Sequence, residues 1–332
     1  MTPTAMAGPR FVSAGEALTD LIRQEDGYWL ARAGGAPWNV ARVMAAFGIA
    51  SAFAGGVGRD NFGNDIAALS KESGLDLRFL QRHDKPSLLA IVHETSPPRY
   101  YFIGTDSADL AFDPALLPHG WARSCEWLHC GGISLAREPL CGRLIGLLES
   151  AKAAGAKISF DPNFRNLMTA AYDETLARVA GMADVIKVSD EDLRGLFRTS
   201  DEAHALRQLK AFNPKAVILL TRGAAGAELH ADGRILRQAC TSVEIADTVG
   251  AGDASIGGLL YSLMNHPDAD WAAHLRYAVA AGTAACLQPG AAPPSLAAVE
   301  SVLEKMDRQL ILKSHHEGSF SPRPSTARGE GD

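Results

Sequence analysis

The chain has no marked excess of charge, no long apolar run and few cysteines, and each absence excludes a class. Its 32 basic and 38 acidic residues leave a formal net charge of −6. With no basic run, the sequence lacks the electrostatic footprint of a nucleic-acid binder. No stretch approaches the ~18 uncharged apolar residues that a membrane helix needs. Met1 to Pro9 lack a charged segment followed by an apolar core, so no signal peptide is expected. Cys125, Cys130, Cys141, Cys240 and Cys286 are scattered, odd in number and never spaced Cys-x-x-Cys. That usage points to reduced thiols in the cytoplasm rather than disulfides or zinc. The ten histidines are equally dispersed, and the adjacent pair His315–His316 lies in a polar tail. A Gly-x-x-x-x-Gly-Lys-Ser/Thr phosphate loop is missing. The Gly55-Gly56-Val57-Gly58 cluster does not fit Gly-x-Gly-x-x-Gly, which argues against a nicotinamide dehydrogenase.

What remains is ordinary globular material, 47% hydrophobic and 21% charged over 332 residues. Short apolar runs alternate with longer amphipathic ones. Strands are expected at Phe11–Ala17, Ala50–Val57, Cys125–Cys130, Lys157–Phe160, Asp184–Val188 and Ala216–Leu220. Helices are expected at Pro37–Phe47, Asn61–Ser73, Pro139–Ala154, Ala251–Met264, Trp271–Leu287 and Ser295–Met306, with another capped by Ser189. The rhythm implies an α/β fold with a mostly parallel sheet covered on both faces. Ser87–His93 and Arg99–Ile103, joined by Thr95-Ser96-Pro97-Pro98, read as a hairpin. With Leu21–Ala31 it forms a small β appendage. The expected division is one domain over 1–312, with the appendage built from about 19–33 and 85–110. Residues 313–332, rich in Ser, Pro, Arg, Gly and Glu, are expected to be a disordered tail.

Two glycine-rich segments carry chemistry. In Asp247-Thr248-Val249-Gly250-Ala251-Gly252-Asp253, small residues precede an apolar helix. The backbone N–H groups of Gly250, Ala251 and Gly252 can then face an anion, while Asp253 accepts a proton from a hydroxyl. In Gly34-Gly35-Ala36-Pro37-Trp38-Asn39, the glycines permit close approach of a ligand and Asn39 can bond a sugar hydroxyl. Taken singly, each also reads as a tight turn before a helix.

Together, in this order and separation, the two motifs resemble those of the ribokinase-like (PfkB) carbohydrate kinases, and most the bacterial-type fructokinases. The resemblance runs from about Val12 to Ala298. It implies a ribokinase-like three-layer sandwich with a β lid, and transfer of phosphate from ATP to a sugar hydroxyl. Asp20, in Gly15-Glu16-x-Leu18-x-Asp20, then holds sugar with Gly34, Gly35, Asn39 and Asn163. Arg165, in Asp161-Pro162-Asn163-x-Arg165, reaches toward sugar or phosphates. Ser107-Ala108-Asp109 matches the end of the lid, and Gly131-Gly132-Ile133-Ser134-Leu135 the strand end after it. Lys187, Ser189 and Asp192 occupy the place of the family's Asn-x-x-Glu, where Asp192 would meet Mg²⁺ through water. Thr221, Gly223 and Gly226 form the nucleotide-side loop. A monovalent cation, usually K⁺, falls near Asp247 and the Val249 carbonyl. A homodimer through the lid is implied as well. The sequence departs from the family at Trp38, expected beside the sugar, at Ser255, expected on the adenine side, and at Ser87 in the lid. The motifs leave 2-keto-3-deoxygluconate, ribose and nucleosides open as acceptors, and beyond them a non-catalytic sugar-binding protein.

Overall fold

The computed structural model describes residues 8–95 and 98–317. In chain order the strands are β1 (Phe11–Ala14), β2 (Leu18–Arg23), β3 (Trp29–Gly34), β4 (Ser51–Gly58), β5 (Leu80–His83), β6 (Leu89–Thr95), β7 (Pro98–Ile103), β8 (Trp127–Gly131), β9 (Lys157–Asp161), β10 (Val185–Ser189), β11 (Val217–Thr221), β12 (Ala227–Ala231) and β13 (Arg234–Gln238). The helices are α1 (Ala36–Ala46), α2 (Asn61–Glu72), α3 (Leu140–Ala153), α4 (Asp173–Met182), α5 (Asp190–Phe197), α6 (Glu202–Phe212), α7 (Ala251–Asn265), α8 (Trp271–Ala285) and α9 (Leu296–Glu317).

One sheet runs β13-β12-β11-β10-β9-β8-β1-β4-β5. From β5 to β11 all neighbours pair parallel, and β12 and β13 extend the edge antiparallel. Alternation along each strand divides the core in two. Val12, Leu128, Ile158, Ile186 and Ile218 pack with Leu144 of α3, Val179 of α4, Leu193 of α5 and Leu209 of α6. Phe11, Trp127, Val185 and Leu219 pack on the other face, with Met44 of α1, Leu259 of α7, Ala278 of α8 and Val299 of α9. Strands apolar on both faces are what a doubly covered parallel sheet requires. The three-layer expectation therefore holds.

The second sheet, β3-β2-β6-β7, is the lid. Leu21–Ala31 is not one run. A turn closed by Gln24 and Tyr28 divides it into β2 and β3. Ser96 and Pro97, within the expected hairpin turn, lie outside the described residues. Strand β1 stops at Ala14, three residues before the expected end, and β8 begins at Trp127 rather than Cys125. Helix α9 passes the expected boundary at 313 and reaches Glu317, while 318–332 lie outside the described residues.

The chain runs from β1 to β4 on one side and returns to β8 on the other. Crevices open at the carboxyl ends of strands where such a reversal occurs. At the reversal, buried Glu16 accepts hydrogen bonds from the amides of Ile133 and Ser134 and from the Ser134 hydroxyl. These bonds tie the end of β1 to the end of β8.

Candidate active site

A cavity of about 290 Å³ opens there between the lid and the sheet. Its wall brings together Asp20, Gly35, Asn39, Asn163, Arg165, Lys187, Val249, Gly250, Gly252 and Asp253, residues spread over more than 230 positions of sequence.

Helix α7 supplies its floor. Gly250 is the N-cap in the left-handed region, φ 81°, a conformation that favours glycine. The Lys187 ammonium lies 3.0 Å from where a Cβ on Gly252 would stand, so a side chain there would displace the cation. The amide of Ala251 differs from expectation. It donates to the Thr248 carbonyl at 3.2 Å and so closes the turn. The amides of Gly252 and Asp253 find no acceptor among the described residues. They are the first-turn donors open to an anion.

Asp253 is buried, and its Oδ2 accepts from Asn39 Nδ2 at 2.8 Å. Burial raises its pKa to about 7, against the Asn39 hydrogen bond; Asp161 raises it further, and Lys187 and Arg165 lower it. Asn39 Oδ1 is buried without a partner, an acceptor ready for a hydroxyl. Asp20, on β2, is raised to about 6 by burial, with Arg165 pulling the other way. Lys187, on β10, is 3.0 Å from Asp161 Oδ2 and 3.8 Å from Asp192 Oδ2. Burial opposes its charge, yet these carboxylates and Asp253 hold its pKa above the ordinary lysine value.

Asn163 stands at φ 45°, and its Oδ1 accepts from Arg165 Nη1 at 2.9 Å. The guanidinium of Arg165 lies 4.7 Å from the ring centre of Tyr100, on lid strand β7. A buried carboxylate, free helix-terminal amides, two cations and a lid are parts that phosphoryl transfer can use.

Residues 9–298 match the pfkB family carbohydrate kinase pattern. The chain belongs to the pfkB family of carbohydrate kinases. It is 34% identical over 289 residues to the fructokinase of Vibrio alginolyticus, spanning 83% of this chain and 92% of that protein. It is also 34% identical to the fructokinase of Escherichia coli, over 75% of this chain and 82% of that one. The structure resembles that of Xylella fastidiosa fructokinase with bound ATP, with TM-score 0.81 and 27% identity over 90% of this chain and 99% of that one. It also resembles Vibrio cholerae fructokinase with fructose, ADP and calcium ion bound, with TM-score 0.77 and 29% identity at the same coverage.

Several family positions stand away from the cavity wall. Gly34 ends β3 beside Asp20, Thr221 ends β11, and Gly223 and Gly226 lie in the turn beyond it. Ser189 and Asp192 close a capping box on α5. Among the described residues no three His, Cys, Asp or Glu side chains converge as a metal site. Each Asp192 oxygen already accepts a backbone N–H, from Phe164 at 2.8 Å and from Ser189 at 2.7 Å. With no such cluster, and with Asp192 off the cavity wall, contact through water is what the donor set leaves for Mg²⁺. Asp247 accepts from the amides of Val249 and Gly290.

One expectation is overturned. Trp38 does not face the sugar: it is fully buried, and its Nε1 donates to Ser70 of α2 at 2.9 Å. Its neighbours Ala36 and Asn39 face the cavity instead. Ser255 is wedged between α7 and α8, its hydroxyl donating to the Ala251 carbonyl and lying close to Gly282. Ser87 ties the root of the lid to Asp60, the cap of α2.

The motifs gave no role to Glu16, Leu18, Tyr100, Phe102 or Ile133, yet all line the cavity. The alternation of Tyr100 and Phe102 along β7 was a usable signal, since residues two apart share a face.

Proposed function

We propose that this chain transfers the γ-phosphoryl group of ATP to the primary hydroxyl of fructose, giving fructose 6-phosphate and ADP. The observation that carries the proposal is the position of Asp253. It is a buried carboxylate on the first turn of α7, beside two unpaired amides and inside a cavity of sugar size. The fructokinases named above, including the one with fructose and ADP bound, supply the acceptor.

Asp20, Gly35 and Asn39 would hold sugar hydroxyls, with Gly34 giving Asp20 room and Asn163 on the far wall. Asp253 would take the hydroxyl proton as the new O–P bond forms and the bond to the ADP oxygen breaks. The amides of Gly252 and Asp253 and the charges of Lys187 and Arg165 would meet the transferring oxygens. Thr221, Gly223, Gly226 and Ser189 lie toward the nucleotide. Mg²⁺ would enter as Mg·ATP and neutralise phosphate charge, with Asp192 no nearer than one water. A K⁺ ion at Asp247 and the Val249 carbonyl would steady the turn before α7. Tyr100 and Phe102 on the lid would cover the sugar and exclude water. A cytoplasmic location follows from the demand for ATP.

ADP release from Mg·ATP with fructose, 2-keto-3-deoxygluconate, ribose, glucose and adenosine tests the proposal. The highest kcat/KM is expected with fructose. Preference for another acceptor would displace fructose but keep the kinase. Sugar binding without turnover would leave a non-catalytic binder.

A further inference from the structure

We propose that Asp192 is a positioning residue for the sugar-side segment 161–165, acting through Phe164, over and above any water-mediated contact with Mg²⁺. The Phe164 amide donates to Asp192 Oδ1 at 2.8 Å. The other oxygen and the Ser189 hydroxyl complete the α5 capping box, so the carboxylate that starts the helix also grips the neighbouring segment.

A second contact reinforces the grip from the same helix. The Phe164 ring lies over Gly195, where a Cβ would come within 2.3 Å of a ring carbon. Phe164 is thus held at both backbone and ring. The residues on either side of it are Asn163, with its left-handed backbone, and Arg165, whose guanidinium bonds to the carbonyls of Asn163 and Phe164. Both line the sugar end of the cavity, whereas Asp192 does not. Helix α5 is therefore a buttress for the sugar site.

The binding part of the test rests on the fructose reading; the exchange part does not. Fructose binding is measured by titration calorimetry without nucleotide or Mg²⁺. Asp192→Ala is expected to weaken binding about tenfold, and Asp192→Asn, which keeps an acceptor for Phe164, to recover most of it. In a double-mutant cycle Arg165→Ala with Asp192→Ala should bind no worse than Arg165→Ala alone. Gly195→Ala leaves the capping box intact and should weaken fructose binding from the other side of Phe164, which keeps the proposal testable if Asp192→Ala misfolds. Amide hydrogen exchange at Phe164 should accelerate in Asp192→Ala with no ligand present. Wild-type fructose affinity in Asp192→Ala together with a raised Mg²⁺ requirement for turnover would overturn the proposal, as would additive losses in the cycle. Should the wild-type chain bind no fructose, the acceptor reading falls, and the Phe164 exchange rate alone decides: unchanged exchange overturns the positioning role.

Discussion

The base role proposed for Asp253 and its burial make opposite demands on its proton. As a base it must be ionised, yet burial favours its neutral form and raises its pKa to about 7. Turnover under kcat/KM conditions should therefore climb as pH rises toward 7 and level off above it, rather than levelling near the ordinary carboxylate pKa of about 4. A rate profile from pH 5 to 9 checks this, and a plateau already reached at pH 5.5 would contradict it. Asp253→Asn should keep its place beside Asn39 and lose roughly 10²–10⁴-fold in turnover; near-normal turnover would remove Asp253 from the role. The same burial has a sign for stability. Glu16 is raised to about 7, like Asp253, and Asp20 to about 6, burial being the chief cause in each. The folded chain then holds protons that the unfolded chain releases above about pH 4. Stability of the ligand-free protein should fall as pH rises from about 4 to 7, with urea midpoints lower at pH 7.5 than at pH 5.5 as far as these groups decide. Replacing Asp253 by Asn should flatten that slope. At this scale the glycine motifs marked in advance the buried carboxylate on the first turn of α7. Glu16 was visible in sequence without a role, because its partners, Ile133 and Ser134, lie more than 110 positions away.

Among the elements, α1 shows how local pattern and tertiary packing divide the work. Pro37 starts the helix and the apolar stripe Val40, Val43, Met44 buries it, all legible in sequence. Which way Trp38 faces was not legible, because the answer depends on α2. Its ring fits among Phe53, Val57 and Ile66, its Nε1 reaches Ser70, and Arg42 stacks on it at 4.3 Å. Trp38→Phe should therefore cost about 1–3 kcal/mol, mainly from the unmet Ser70 hydrogen bond and the lost ring volume, and leave the order of sugar acceptors unchanged. Denaturant melts and the acceptor panel check both halves; a changed acceptor order would put Trp38 back at the site. Element ends were read best where a side chain sets them, as with the Asp60 cap of α2 and the Ser189 cap of α5. Helices α4 and α6 and the antiparallel pair β12–β13 were not singled out. Helices α4 and α6 pack on each other across the intervening β10 and α5, whereas β12 and β13 form a local antiparallel meander off β11 that no motif marks.

At the scale of the molecule, the lid has two faces with different uses. Along β7, Tyr100 and Phe102 turn inward to the cavity, while Tyr101 and Ile103 turn outward, 65% and 50% exposed. Trp29 and Leu30 on β3 and Tyr28 in the adjoining turn are exposed as well. In the order β3-β2-β6-β7 the two outer strands are edges, and an apolar exposed sheet with open edges favours association. A second copy of the same lid would be a self-complementary cover, in keeping with the twofold symmetry of most small oligomers. The wild-type chain should therefore sediment as a dimer, and Tyr101→Glu with Ile103→Lys should convert it to a monomer without unfolding it. The alternation along β7 makes a second, separable demand. The charged pair leaves Tyr100 and Phe102 in place, so any loss of activity should come from a looser lid, appearing as a higher KM for the sugar and more ATP hydrolysis without acceptor. Phe102→Ala should do the reverse, harming turnover while the dimer persists. A variant pair in which dimer loss leaves sugar KM and uncoupled hydrolysis at wild-type values would show that the lid closes independently of its partner.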